Sequence, residues 1–180
     1  MAVQRKDCRL VVTDAASMEV VQIIQFADPT GDGVCVSMGA WDPDSGIFVL
    51  TSARDLEAGP YTRGALGFNL SASCQLQLKW NTYIGVNNVQ YAGPFTAPVI
   101  AGPVGKRVAF FGTGISNTVH AVAVSNGRLL WNATLDGLSL ASGGGTASVF
   151  AAPTVINGTL LIGGWDYYEE SGHKLYAFRI

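Results

Sequence analysis

"VHAVAVSNGRLLWNATLDG", residues 119–137, is two short apolar strands folded about Ser125-Asn126-Gly127, the second carrying Trp131. Alternating apolar and polar positions have the period of a half-buried strand, and Asn-Gly at the joint suits a tight hairpin. The same plan returns in "LGFNLSASCQLQLKW", residues 66–80: strand, small polar turn, strand ending in Trp80. A second pair of stretches also matches. "GPFTAPVIAG" (93–102) and "SVFAAPTVING" (148–158) place Pro98 and Pro153 alike, and each is followed by a strand, "KRVAFFGTG" or "GTLLIGG", and then by another, "TVHAVAV" or "KLYAFRI".

Trp80 and Trp131 lie 51 residues apart, and the two prolines 55. A period of about fifty residues built only from short strands predicts propeller blades, four-stranded antiparallel sheets stacked face to face. The expected fold is therefore all-β, a partial β-propeller with almost no helix. Residues 9–26 would be the last two strands of one blade (9–14 and 18–26). A full blade is expected over 33–84, with strands near 34–39, 47–52, 64–70 and 74–80. Another is expected over 94–135, with strands near 95–100, 107–111, 118–124 and 128–134. A partial blade over 148–180 would have three strands, near 149–156, 159–163 and 174–180.

About three blades' worth of strands is fewer than the four to eight with which propellers close. An isolated copy would expose an apolar sheet face at each end unless a protein partner, further blades or a second copy covers it. A variant in which strand 18–26 completes the last blade would need a ring of only three.

Composition bounds the rest. With 180 residues, 48% hydrophobic and 13% charged, the chain can bury a core. A net charge of −2 without a Lys/Arg run offers no footprint for nucleic acid. No signal peptide and no membrane span is visible, and the compartment stays unknown; Asn69, Asn132 and Asn157 head glycosylation-type triplets that would fit a secretory route. Cys8, Cys35 and Cys74 are far apart in sequence and without metal-ligand spacing, so buried free thiols are expected.

The Trp-ended hairpins, together with "APTVINGTLLIGG" and "HKLYAFRI", resemble the repeats of pyrroloquinoline-quinone (PQQ) propellers. "WDPDSGIFVLTSA" (41–53) is similar to a stretch of quinoprotein alcohol dehydrogenases and polyvinyl-alcohol-dehydrogenase-like proteins. The likeness covers most of 9–180. It implies the propeller fold, but not one chemistry, because such repeats also serve as scaffolds that bind no quinone. In the dehydrogenases an Asn in this stretch helps hold calcium beside the quinone; here its place falls on Ala53 or Arg54. Those enzymes also carry two adjacent disulfide-bonded cysteines and a catalytic Asp, and this sequence offers no adjacent pair and no motif for the Asp. The resemblance thus leads to a non-catalytic binding or assembly module with no cofactor and no metal. The alternative is a fragment of a PQQ- and calcium-dependent alcohol dehydrogenase-type oxidoreductase.

Long loops gather at one end of such sheets, and binding residues concentrate on them. "WDYYEE" supplies the candidates Trp165, Asp166, Tyr167, Tyr168 and Glu169, mixing amphipathic rings and carboxylates as contact surfaces do. The plainer reading packs Trp165 between blades. Trp80 and Trp131 are expected to dock one blade onto the next. Trp41, Asp42 and Asp44 read as a turn rather than a calcium corner. His120 takes the place that Tyr176 holds in the following repeat, so its position requires no catalysis.

Overall fold

A computed structural model describes residues 1–29, 35, 37–57, 59–85, 93–94, 96–114, 117–135, 147–148, 151–166 and 174–180, with 147, 148, 165 and 166 described for their backbone alone. The described residues form four antiparallel sheets and no helix. The first contains β1 (Ala2–Gln4), β2 (Arg9–Thr13) and β3 (Val20–Gln25) in that order. The second contains β4 (Ala40–Asp42), β5 (Ile47–Ser52), β6 (Gly64–Leu70) and β7 (Leu76–Tyr83). The third contains β8 (Val99–Ala101), β9 (Val108–Gly112), β10 (Thr118–Ala123) and β11 (Leu129–Thr134). The last is built from β12 (Ala147–Ser148), β13 (Thr154–Ile156), β14 (Thr159–Asp166) and β15 (Lys174–Arg179).

Three hairpins repeat one design. In β2–β3, β6–β7 and β10–β11 the chain turns through a left-handed residue, Met18 (φ 61°), Cys74 (φ 58°) or Gly127 (φ 72°). Each ladder then carries a bulge, after Val12, Gly67 or Ala121, and opposite those three stand Gln22, Trp80 and Trp131. A bulge adds twist and re-aims the side chain beside it.

The sheets stack through three apolar seams. Leu10, Val12 and Ile24 meet Phe48, Leu50, Leu66 and Phe68 in the first. Ile47, Val49 and Ala65 meet Ala109, Phe111 and Val122 in the second. Phe110, Val119 and Ala121 meet Leu160 and Ile162 in the third. Strand β5 has a neighbour on both faces and is buried along its whole length, which is why "IFVLTS" reads as a continuous apolar run rather than an alternation. The first strands β4, β8 and β13 lie beside one another in series.

Several expectations need correction. The strand expected at 34–39 is replaced by β4 at Ala40–Asp42; Ser37, short of the ladder, contacts Thr51 through its side chain, Oγ to Oγ1 at 2.8 Å. The strand expected at 149–156 is two pieces, β12 and β13, which pair with different parts of β14. Pro153 precedes β13, where it has no N–H to give a ladder. β1 was not expected; it adds a third strand to the first sheet. Strand β3 pairs with β2 and not with the last sheet, so the described strands do not close into a ring. Cys8 and Cys35 are not free thiols but a disulfide with Cα atoms 5.1 Å apart, and Cys74 is a free thiol on the surface.

Candidate interaction site

The interaction surfaces follow from how one blade grips the next. Trp80, on β7, is 8% exposed, and its indole N–H donates to the carbonyl of Val124, in the β10–β11 turn, at 2.8 Å. The ring passes over two glycines. A Cβ on Gly67 would fall 2.1 Å from the indole, and one on Gly127 would fall 2.6 Å from it. Thr82 Oγ1 donates to the Gly127 carbonyl at 2.6 Å, closing the same contact. At the other end of the turn region, Arg107 Nε donates to Asp44 Oδ2 at 3.0 Å and lies 3.6 Å from Asp42 Oδ1. The "DPDSG" turn therefore pairs with an arginine of the next blade, and Ser45 Oγ donates to Asp42 Oδ2 at 2.5 Å.

Gln22 performs at the first seam what Trp80 performs at the second. Its Nε2 donates to the Leu76 carbonyl at 3.0 Å, and its Oε1 accepts from the Leu76 N–H at 2.8 Å. The tryptophan pattern of the other two hairpins does not mark this residue, because a glutamine stands in the corresponding place. The available signal was spacing, since Gln22 follows Met18 by four residues as Trp131 follows Gly127.

Trp131 differs from both. Its ring meets Phe178 of β15 edge-on at 5.2 Å, but it stays 36% exposed. The last sheet has no strand beyond β15 among the described residues, so no hairpin turn lies over Trp131 as Val124–Gly127 lies over Trp80. What remains is an apolar hollow of about 570 Å³ lined by Val108, Phe110, Trp131, Phe178 and Ile180, among others.

Both outward faces of the stack are apolar as well. On the first sheet Val3, Val11 and Ile23 stand in register across three strands, with Val21 beside Ile23; Ile23 is 53% exposed. On the last sheet Leu161 pairs with Ala177 and Gly163 with Leu175, and Leu175 is 73% exposed.

The long-loop end is described in part. Asp55 accepts from the Arg63 backbone N–H and, through Oδ2, from its Nε at 2.9 Å; Asp28 Oδ2 accepts from the Glu57 N–H at 3.1 Å. Tyr167, Tyr168 and Glu169 lie outside the described residues. Trp165 and Asp166 are placed only as backbone, opposite Ser148 and Ala147 on β14. Ala53, where a carboxamide ligand would stand in a quinoprotein, is buried, and a Cβ on Gly93 would come within 2.6 Å of its Cα. The residues at 53 and 54 therefore do not fit the calcium-holding Asn. His120 is buried in the second seam, stacked on Phe111 at 5.8 Å, with no hydrogen-bond partner for either ring nitrogen among the described residues.

No protein-family model matches the chain, and no curated protein matches it by sequence. Solved structures do. BamB from Moraxella catarrhalis is 15% identical with a TM-score of 0.60, over 99% of this chain and 45% of its own. The β-propeller domain of Cps50 (Swd1) from Myceliophteria thermophila is 11% identical with a TM-score of 0.58, over 99% of this chain and 50% of its own. The periplasmic gluconolactonase PpgL of Pseudomonas aeruginosa is 16% identical with a TM-score of 0.59, over 96% and 46%. At these identities the likeness shows the fold: the chain is a partial β-propeller that spans about half the length of the structures it matches.

Proposed function

We propose that this propeller segment, built of PQQ-like repeats, is a non-catalytic binding and assembly module that meets protein through its end faces, with the long-loop end as a further contact surface. The observation that carries this reading is the pair of open apolar faces, Val3, Val11, Val21 and Ile23 at one end and Leu161, Leu175 and Ala177 at the other. Each lies on a sheet whose opposite face packs against the neighbouring sheet in a seam. Burying apolar area yields roughly 25 cal/mol per Å², so two uncovered sheet faces are a strong drive to associate. Ala53 and Arg54, in place of a carboxamide, favour this reading over that of an oxidoreductase fragment, with neither quinone nor calcium required.

Light scattering after gel filtration, with an apolar dye, tests it. The expected result is a defined complex, or a monomer that binds the dye; a monomer that binds none overturns the reading. Saturable quinone uptake with calcium, accompanied by dye reduction by simple alcohols, overturns it in favour of the oxidoreductase.

A further inference from the structure

Resting on that reading, we infer that the partner covering both end faces is a second copy of this chain, so that two copies close one propeller ring. Three features of the molecule point there. The chain superposes over 99% of its length on 50% of a β-propeller domain, so a whole ring is about two lengths of it. It contributes four stacked sheets, and two copies would give eight, within the four to eight with which propellers close. Finally, its two open faces lie at opposite ends of the stack and carry the same kinds of residue that fill the internal seams. Val3, Val11 and Ile23 make a β-branched ridge on the first sheet, and Leu161, Leu175 and Ala177 make an aliphatic bed on the last.

The geometry of closure follows from this polarity. The first sheet of one copy seats on the last sheet of the other, and a twofold axis repeats that contact on the far side. Both seams are then identical, and neither end face is left open. Head-to-tail contacts of this kind make closed rings when the rotation closes and open filaments when it does not. The β2–β3 turn, with Met18 and Val20 exposed, then reaches the partner's last sheet as the β6–β7 turn reaches the first sheet through Gln22.

Light scattering of the chain should give about twice 18.9 kDa, independent of loading concentration. Ile23→Glu should give a folded monomer by circular dichroism, and so should Leu175→Glu, because either substitution damages both seams. An equimolar mixture of the two variants should recover dimer, since one of its two seams then carries neither substitution. Val3→Glu and Ala177→Glu, equally on the surface, repeat the test should a first variant misfold. A wild-type monomer overturns the inference, as does a dimer broken by only one of the two substitutions, or a mass that climbs with concentration. The failure is separable from failure of the broader reading: a monomer that binds apolar dye leaves the binding module standing, and one that binds none removes both.

Discussion

Gln22 and Leu76, 54 residues apart, make a closed pair of hydrogen bonds in which one side-chain amide satisfies both backbone groups of one residue. The arrangement imitates a rung of sheet ladder between two blades. Truncation to Ala would remove both hydrogen bonds at the Leu76 N–H and C=O, each worth about 0.5–1.5 kcal/mol net. Gln22→Ala should therefore lower the urea midpoint by an amount equivalent to about 1–3 kcal/mol. A loss below about 0.5 kcal/mol, the size of an ordinary surface change, would show that water replaces the amide freely.

Trp80 is the apolar counterpart of that contact. Trp80→Phe should cost about 1 kcal/mol for the lost hydrogen bond to Val124, and Trp80→Ala about 3–5 kcal/mol for the cavity. Gly127→Ala should rival the larger loss, because its φ of 72° is left-handed and the new methyl would meet the indole. Trp131→Ala in a monomeric background should cost visibly less than Trp80→Ala, since its ring is already 36% exposed. Equal losses at the two tryptophans would contradict the uncovered last seam.

The sequence carried the repeat, and with it the propeller, because hairpins write themselves locally: alternation, a turn residue and a tryptophan within about fifteen positions. β5, β6, β9 and β10 stand at or within a residue of where that pattern put them. What it did not carry was non-local. The partnership of Cys8 with Cys35 joins positions with a sequence separation of 27, and no local spacing encodes it. β1 was hidden because "MAVQ" is too short to show a period; only the waiting edge of β2 makes it a strand. Gln22 is not legible in that pattern because a polar side chain does the work of a tryptophan by a different chemistry. The loop candidates Tyr167, Tyr168 and Glu169 fall outside the described residues.

Cys74 occupies a left-handed position that the equivalent hairpin gives to Gly127. A Cβ there costs roughly 1–2 kcal/mol for an L-residue. Cys74→Gly should relieve that cost, offset in part by the greater entropy of glycine in the unfolded chain. The expected net gain is up to about 1 kcal/mol, together with loss of the only free thiol among the described residues. A lower melting temperature for this variant would mean that the turn does not strain Cys74.

The Cys8–Cys35 bond closes a loop with a sequence separation of 27. The chain-entropy relation assigns such a loop about 3–4 kcal/mol. Paired substitution to Ser, or reduction, should move the urea midpoint by that amount with little change in the native spectrum. The bond also ties the chain leading into the second sheet to the β1–β2 connection, so hydrogen exchange in the first sheet should rise more than in the third. Uniform acceleration across all four sheets would show that the bond acts on the unfolded chain alone.

His120 gives the pH dependence. Burial lowers its pKa from 6.5 to about 4, since no hydrogen-bond partner among the described residues compensates the cost of charging it in the second seam. In the unfolded chain the imidazole takes up its proton near pH 6.5, while in the folded chain it stays neutral until about pH 4, so the unfolded state binds more protons between those values. Stability is therefore full above pH 6.5 and falls as the pH drops toward 4, by about 3 kcal/mol in all. Asp7, held low by the hydrogen bond from Arg9, and Asp14, held low by the backbone N–H groups of Ser17 and Ala16, lose their contributions only in and below the usual carboxylate range. His120→Phe should flatten the slope between pH 6.5 and 4.5 while leaving the more acidic limb in place. An unchanged slope in that variant would mean that the ring reaches water and titrates normally.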